Sequence, residues 1–361
     1  MIKYLGSKRR LVPALTAIAA ALSARSGVDL FTGTTRVARA WKQHGVHVTA
    51  VDSASYSHVL ARCFIGTDAA DIDHDEVQRV VAELNLLPGR DGYFTETFCR
   101  RSRFFQEHNG QRIDAIRDAI EDFRGTALHP VLLTSLLLAA DRVDSTTGVQ
   151  MAYLKHWAPR SFHDLHLEVP DLLPGPGTAL RADATAVVDD LPSVDLAYLD
   201  PPYNHHRYES NYHIWTTLVA GDEPEHYGVA CKRLDLRTDP HRSPFNRRRE
   251  FAGALAGVVA SLRANTVVVS YNDESWVDAH EIRQWLLGAG HQRAEVLTFD
   301  SARYVGARIG IHDPHGVKVG TVGRLRNHEM LVVAGSTDDV AAALDAARSH
   351  GGVVVALAHG R

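Results

Sequence analysis

Four short, nearly unbroken apolar runs, at 28–31, 46–51, 194–199 and 266–270, constrain this chain more than any other feature. They do not alternate polar and apolar residues, so as strands they must be covered on both faces, as in a parallel sheet. Helix-like periodicity over 34–44 separates the first two and makes a strand–turn–helix–strand unit, which predicts a parallel pair joined by a right-handed crossover. Further β signals at 294–299, 317–323 and 329–334 follow without long helices between them. They predict antiparallel strands closing one edge of an α/β sheet.

The middle of the chain reads differently. Residues 73–84, 113–123 and 128–142 carry helical periodicity with no parallel-strand signal between them, and Gly175 and Gly177 mark the return to the sheet. The expected organisation is a catalytic domain from 1–67 and 171–335, a helical insertion over 68–170, and a tail, 336–361, of one capped helix (337–350) and a last strand (353–357).

Composition excludes several classes. The 361 residues are 45% hydrophobic and 23% charged, ample for a buried core and unlike a disordered or fibrous chain. A formal charge of -4 excludes a uniformly basic coat but not a local basic face. Cys63, Cys99 and Cys231 are far apart and show no CxxC spacing, so no disulfide framework or zinc site is expected, which suits a reducing cytoplasm. The longest apolar run, 130–140, is shorter than the roughly 18 residues of a membrane span. Lys8-Arg9-Arg10 before an apolar stretch imitates a signal peptide, but Pro13 near the start of 11–22 favours an ordinary helix.

Chemistry concentrates where the third run ends, at Asp200-Pro201-Pro202-Tyr203. Ligands of open α/β sheets bind beyond the carboxyl ends of strands, so this turn faces the crevice. Two prolines fix φ twice and remove two donors, leaving rigid carbonyl acceptors. A carboxylate, an aligned carbonyl and an aromatic ring suit a planar base with an exocyclic amino group. Such acceptors free the nitrogen lone pair for attack.

Asp-Pro-Pro-Tyr after a strand resembles the catalytic motif of amino-methyltransferases acting on adenine N6 in DNA. Three further segments match in order. Lys3-Tyr4-Leu5-Gly6-Ser7-Lys8 resembles the N-terminal cofactor motif of the Dam-type adenine methylases, which implies Tyr4 on the methionine part of S-adenosylmethionine and Lys8 at its carboxylate. Asp29-Leu30-Phe31-Thr32-Gly33-Thr34-Thr35 resembles the Phe-x-Gly-x-Gly loop, with Phe31 and Gly33 in place and Thr35 where the second glycine is usual. Asp52, at the tip of the next strand, suits the ribose hydroxyls. Asp183 either contacts the cofactor adenine, as the resemblance implies, or caps a helix. The α group of this family places its target-recognition domain where 68–170 falls. The fold implied is a Rossmann-like S-adenosylmethionine-dependent methyltransferase sheet with a helical insertion. The activity implied is site-specific methylation of a flipped-out adenine, with double-stranded DNA as partner and a cognate restriction endonuclease as a further possible one.

Between 231 and 249, Lys232, Arg233, Arg237, Arg242, Arg247, Arg248 and Arg249 outnumber two aspartates. Arg100, Arg101 and Arg103 form a second cluster within the insertion. Both are expected to meet phosphates. Arg207 and Tyr208 lie in a donor- and ring-rich stretch, 204–212, placed to line the pocket of an extruded base, with Tyr208 or Tyr212 stacking there. Methylation of cytosine N4 is the enzymatic alternative, disfavoured by Asp rather than Ser at 200. A non-catalytic DNA-binding specificity subunit is the alternative outside enzymes. A dinucleotide oxidoreductase lacks two of its glycines after Phe31.

Overall fold

The computed structural model describes residues 2–4, 8–202, 208–238, 243–272, 275–302 and 326–355. The strands are β1 (Ser26–Asp29), β2 (His47–Asp52), β3 (Thr178–Arg181), β4 (Val194–Leu199), β5 (His226–Tyr227), β6 (Lys232–Arg233), β7 (Ala264–Asn272), β8 (Arg293–Ala302), β9 (Arg326–Gly335) and β10 (Val353–Val355). The chain divides into two compact units, one of residues 1–7, 32–182 and 206–242, the other of 8–31, 183–205 and 243–361. This partition is coarser than the three-part organisation read from the sequence. The helical stretch 68–170 shares its unit with β2 and β3, and the tail belongs with the second unit.

In the second unit the strands run β10-β8-β9-β7-β4-β1. β1, β4 and β7 are parallel, while β9 is antiparallel to both β7 and β8. Val267, Val268 and Val269 of β7 and Leu331 to Ala334 of β9 are buried, as expected for strands covered on both faces. The helix Val12–Ala21, with proline in its first turn, packs against Thr337–Arg348, whose N-cap Ser336 accepts the Asp339 N–H. Asp278 and Glu281 form a capping box on Ala279–Gly288.

β4 occupies the expected residues. β1 begins two residues earlier than its apolar run, because the Asp195 carboxylate accepts the N–H groups of Arg25 and Ser26 and pins the strand's polar start. The β signal at 317–323 and the end of the last strand, 356–357, lie outside the described residues.

The first unit holds the parallel pair β2–β3, with Asp52 opposite Arg181, and the hairpin β5–β6. β3 was not expected. It is four residues long and only half-buried, so it carries no apolar run. All of 68–170 is described and contains no strand; its longer helices are His74–Leu86, Glu107–Ile120 and Leu128–Val143. Glu107–Ile120 starts six residues before its apolar signal. Its first turn is buried through Asn109, whose amide donates to the His163 carbonyl and accepts from the Leu165 N–H, and through Gly110.

Candidate active site

Each unit carries a group of the expected site residues. In the first unit, Gly33 has φ +50°, and a Cβ there would stand 3.1 Å from Cε1 of Tyr4. The turn therefore needs glycine twice over, for its backbone and for the ring against it. The Gly33 N–H donates to Asp52 Oδ2 at 2.8 Å and the Ala54 N–H to Oδ1 at 2.9 Å. Burial raises the Asp52 carboxyl to about 6, against these hydrogen bonds, which lower it. Thr35, at the glycine position of the loop, has φ +63°. The left-handed backbone that favours glycine is kept although a β-branched residue occupies it.

Tyr4 belongs to an aromatic cluster. Its ring stacks with Tyr212 at 4.8 Å and with Tyr208 at 5.1 Å, and meets Tyr56 edge-on at 6.4 Å. Tyr212 is fully buried, which corrects its expected availability to a flipped base; the half-buried Tyr208 keeps that possibility. The neighbouring Lys3 is held by the last turn of Leu128–Val143 and the residue after it, its ammonium 2.9 Å from Asp141 and 3.3 Å from Asp144. Asp52 is the residue expected at the ribose, and Tyr4 and Gly33 those expected at the methionine part of S-adenosylmethionine. Each Asp52 oxygen keeps a lone pair for a ribose hydroxyl, and the absence of a Cβ at Gly33 leaves room for the Tyr4 ring against the turn.

In the second unit, Asp200 follows β4 at the carboxyl edge, with its side chain 17% exposed. Lys8, itself buried, places its ammonium 3.1 Å from Asp200 Oδ1 and 3.5 Å from Glu329 Oε2. Burial raises the Asp200 carboxyl to about 6; Lys8 opposes this and Glu329 adds to it. Lys8 thus sits beside the Asp-Pro-Pro turn, a partner that the sequence reading did not give it. Pro201 is buried and Pro202 half-buried. Phe31 packs edge-on against Phe245 at 4.9 Å. Asp183 caps the turn Ala184–Val187, accepting the Thr185 N–H at 2.9 Å and its hydroxyl at 2.6 Å. Tyr203 and Arg207 lie outside the described residues. Glu329 was missed, since it opens an ordinary apolar run and matches no motif.

The basic residues separate by environment. Arg233 corrects the sequence reading. It is buried, and Asp222, Asp235 and the Thr217 hydroxyl take all five of its N–H groups, leaving none for a phosphate. Lys232 is half-buried, and burial lowers its ammonium's pKa. Arg248 and Arg249 are exposed on the first turn of Arg248–Ser261, and Arg247 pairs with Glu250 at 2.9 Å. Arg100 pairs with Asp91 at 3.0 Å and Arg101 with Glu96 at 3.0 Å; Arg103 lies over the Trp157 ring at 4.9 Å. Exposed pairs of this kind are weak and exchange readily.

An α/β sheet with a parallel core, an acidic Pro-Pro turn at one strand end and an acid beyond a glycine turn is the arrangement expected of an S-adenosylmethionine-dependent methyltransferase. Residues 4–286 match the D12 class N6 adenine-specific DNA methyltransferases, and the chain belongs to that family. It is 29% identical over 299 residues to the type II methyltransferase M.NlaIII of Neisseria lactamica, covering 78% of this chain and 87% of that one. It is 26% identical over 300 residues to the modification methylase StsI of Streptococcus sanguinis, covering 78% of this chain but 45% of the relative. M.CviAII of Paramecium bursaria Chlorella virus 1 is 28% identical over 264 residues, 68% of this chain and 75% of that protein. The chain is accordingly a DNA adenine methyltransferase, with S-adenosylmethionine as cofactor and DNA as substrate. No helix among the described residues is long and apolar enough to cross a membrane.

Proposed function

We propose that Asp200 and the Pro201 carbonyl accept the two amino hydrogens of an adenine turned out of duplex DNA, with Tyr203 stacking on the base. Extrusion is needed because N6 is otherwise paired inside the helix, and it costs a few kcal/mol. Hydrogen bonds from the amino group to these acceptors localise its lone pair on nitrogen and aim it. S-adenosylmethionine, when bound, supplies an electrophilic methyl group. Tyr4, Phe31, Gly33 and Asp52 hold it, while Lys8 serves both its carboxylate and Asp200. Asp183 is committed to its cap through Oδ1, so any contact with the cofactor adenine falls to its other oxygen. The observation that carries this reading is the half-buried Asp200 carboxylate at the end of β4, with the Lys8 ammonium 3.1 Å away.

The helical stretch 68–170 serves target recognition. Arg100, Arg101, Arg103, Arg248 and Arg249 meet phosphates, with Arg247 released from Glu250. The enzyme works within the cell, where DNA is, and protects a sequence that a companion restriction endonuclease cuts, as the type II relatives' names suggest. Sequencing DNA from cells expressing the protein, with modified-base detection, should show N6-methyladenine at one recurring sequence. N4-methylcytosine, or no modified base, would overturn the assignment.

The basic surface has its own test. Replacing Arg247, Arg248 and Arg249 by alanine should weaken binding to every duplex alike and flatten the plot of log K against log salt by about 0.9 per lost phosphate contact. Arg233→Met should instead cost up to about 1 kcal/mol of stability, from its lost pairs with the solvent-exposed Asp222 and Asp235, and leave the salt slope alone. A wild-type slope in the triple variant would make those arginines a solvated face.

A further inference from the structure

We propose that Glu329 is a positioning residue for methyl transfer, sharing the Lys8 ammonium with Asp200 so that the catalytic carboxylate is not locked into a one-to-one ion pair. This rests on Asp200 being the acceptor for the target amine. Glu329 lies beyond residues 4–286, which match the family, and no motif marks it.

The strand directions explain how it arrives there. β4 and β7 are parallel, so Asp200 and Asn272 stand at the same carboxyl edge. β9 is antiparallel to β7, with Glu329 opposite Asn272, so it brings its early residues to that edge. The Lys8 ammonium then lies 3.1 Å from Asp200 Oδ1 and 3.5 Å from Glu329 Oε2. An ammonium has three donors and no acceptor, and a buried one takes every carboxylate within reach.

Without Glu329, more of the Lys8 charge would fall on Asp200 and make it a poorer acceptor. With Glu329 3.5 Å from the same ammonium, the charge is divided further, and Asp200 keeps basicity for the amino hydrogens. Among the described residues, the further groups near Asp200 are Tyr198 on its own strand and, beside Tyr198, Asp29 of β1 and Ser270 of β7. None of these three carries a positive charge. Lys8 lowers the Asp200 carboxyl and Glu329 raises it, so the two act in opposite directions on one group.

The test is the pH dependence of kcat for Glu329→Gln, Glu329→Asp and Lys8→Met on duplex DNA, with carboxyl NMR titration of the cofactor-free protein as a second readout. Glu329→Gln should move the acid limb, and the Asp200 titration, down by about one pH unit, the size of shift a nearby like charge imposes. Its kcat should fall by about tenfold. Glu329→Asp should keep the wild-type limb, and Lys8→Met should move it upward. A purely structural glutamate would lower the melting temperature and leave both profiles in place. An acid limb for Glu329→Gln that overlays the wild type would overturn the proposal. An active Asp200→Ala enzyme would instead overturn the underlying assignment of Asp200, so the two failures are distinguishable.

Discussion

Asp200→Ala is expected to lower the rate of methyl transfer by about 10²–10³-fold, the usual cost of removing one preorganised electrostatic contact. The fold should survive, because Lys8 keeps Glu329 as a partner when Asp200 is gone. Single-turnover methylation and thermal melting measured on the same preparation separate the two effects. The wild-type enzyme should show the same dependence in its pH profile. The Asp200 carboxyl titrates at about 6, so its acceptor form is present above that pH and is lost as the pH falls through it. A variant that methylates at near wild-type rate would remove Asp200 from the chemistry.

The second large effect is expected at Asp52. Replacing it by alanine removes a charged acceptor for the ribose hydroxyls, costing about 1.5–3 kcal/mol, or about ten- to a hundred-fold in the Kd for S-adenosylmethionine. It also removes the acceptor of the Gly33 and Ala54 N–H groups, so the turn loosens with it. DNA affinity should stay close to wild type. Burial raises the Asp52 carboxyl to about 6, so cofactor affinity should weaken as the pH drops through that value. Calorimetry giving an unchanged Kd for the variant would discard the ribose assignment.

The parts of this protein legible in its sequence are those that local pattern determines. Residues 194–199, buried except for the half-exposed Asp195, fall on β4 without a shift. Ser336 and Pro13 mark helix starts through local chemistry alone. Features that depend on distant partners stayed hidden. Arg233 looks like any other member of a basic run until Asp222 and Asp235 close around it. Two π-helical turns, Arg62–Gly66 and Glu96–Arg100, have no periodicity that a helix pattern would detect. Of the candidate site, the places of Asp52 and Asp200 were readable because each stands at the end of an apolar strand. Glu329 was not, because its place is set by strand direction rather than by a neighbouring motif.

The ladder between β7 and β9 therefore works as a measuring device. Side chains on a strand alternate faces, so slipping β9 by one residue would turn Glu329 away from Lys8, and slipping it by two would carry it one repeat along the edge. Six paired positions, from Val267–Ala334 to Asn272–Glu329, hold the alignment. An insertion or deletion between 331 and 334 would thus change the charge around Asp200 while every recognisable motif stayed intact. Variants ranked by motif integrity alone would miss that loss, and a shortened protein ending at 286 would lack the glutamate altogether.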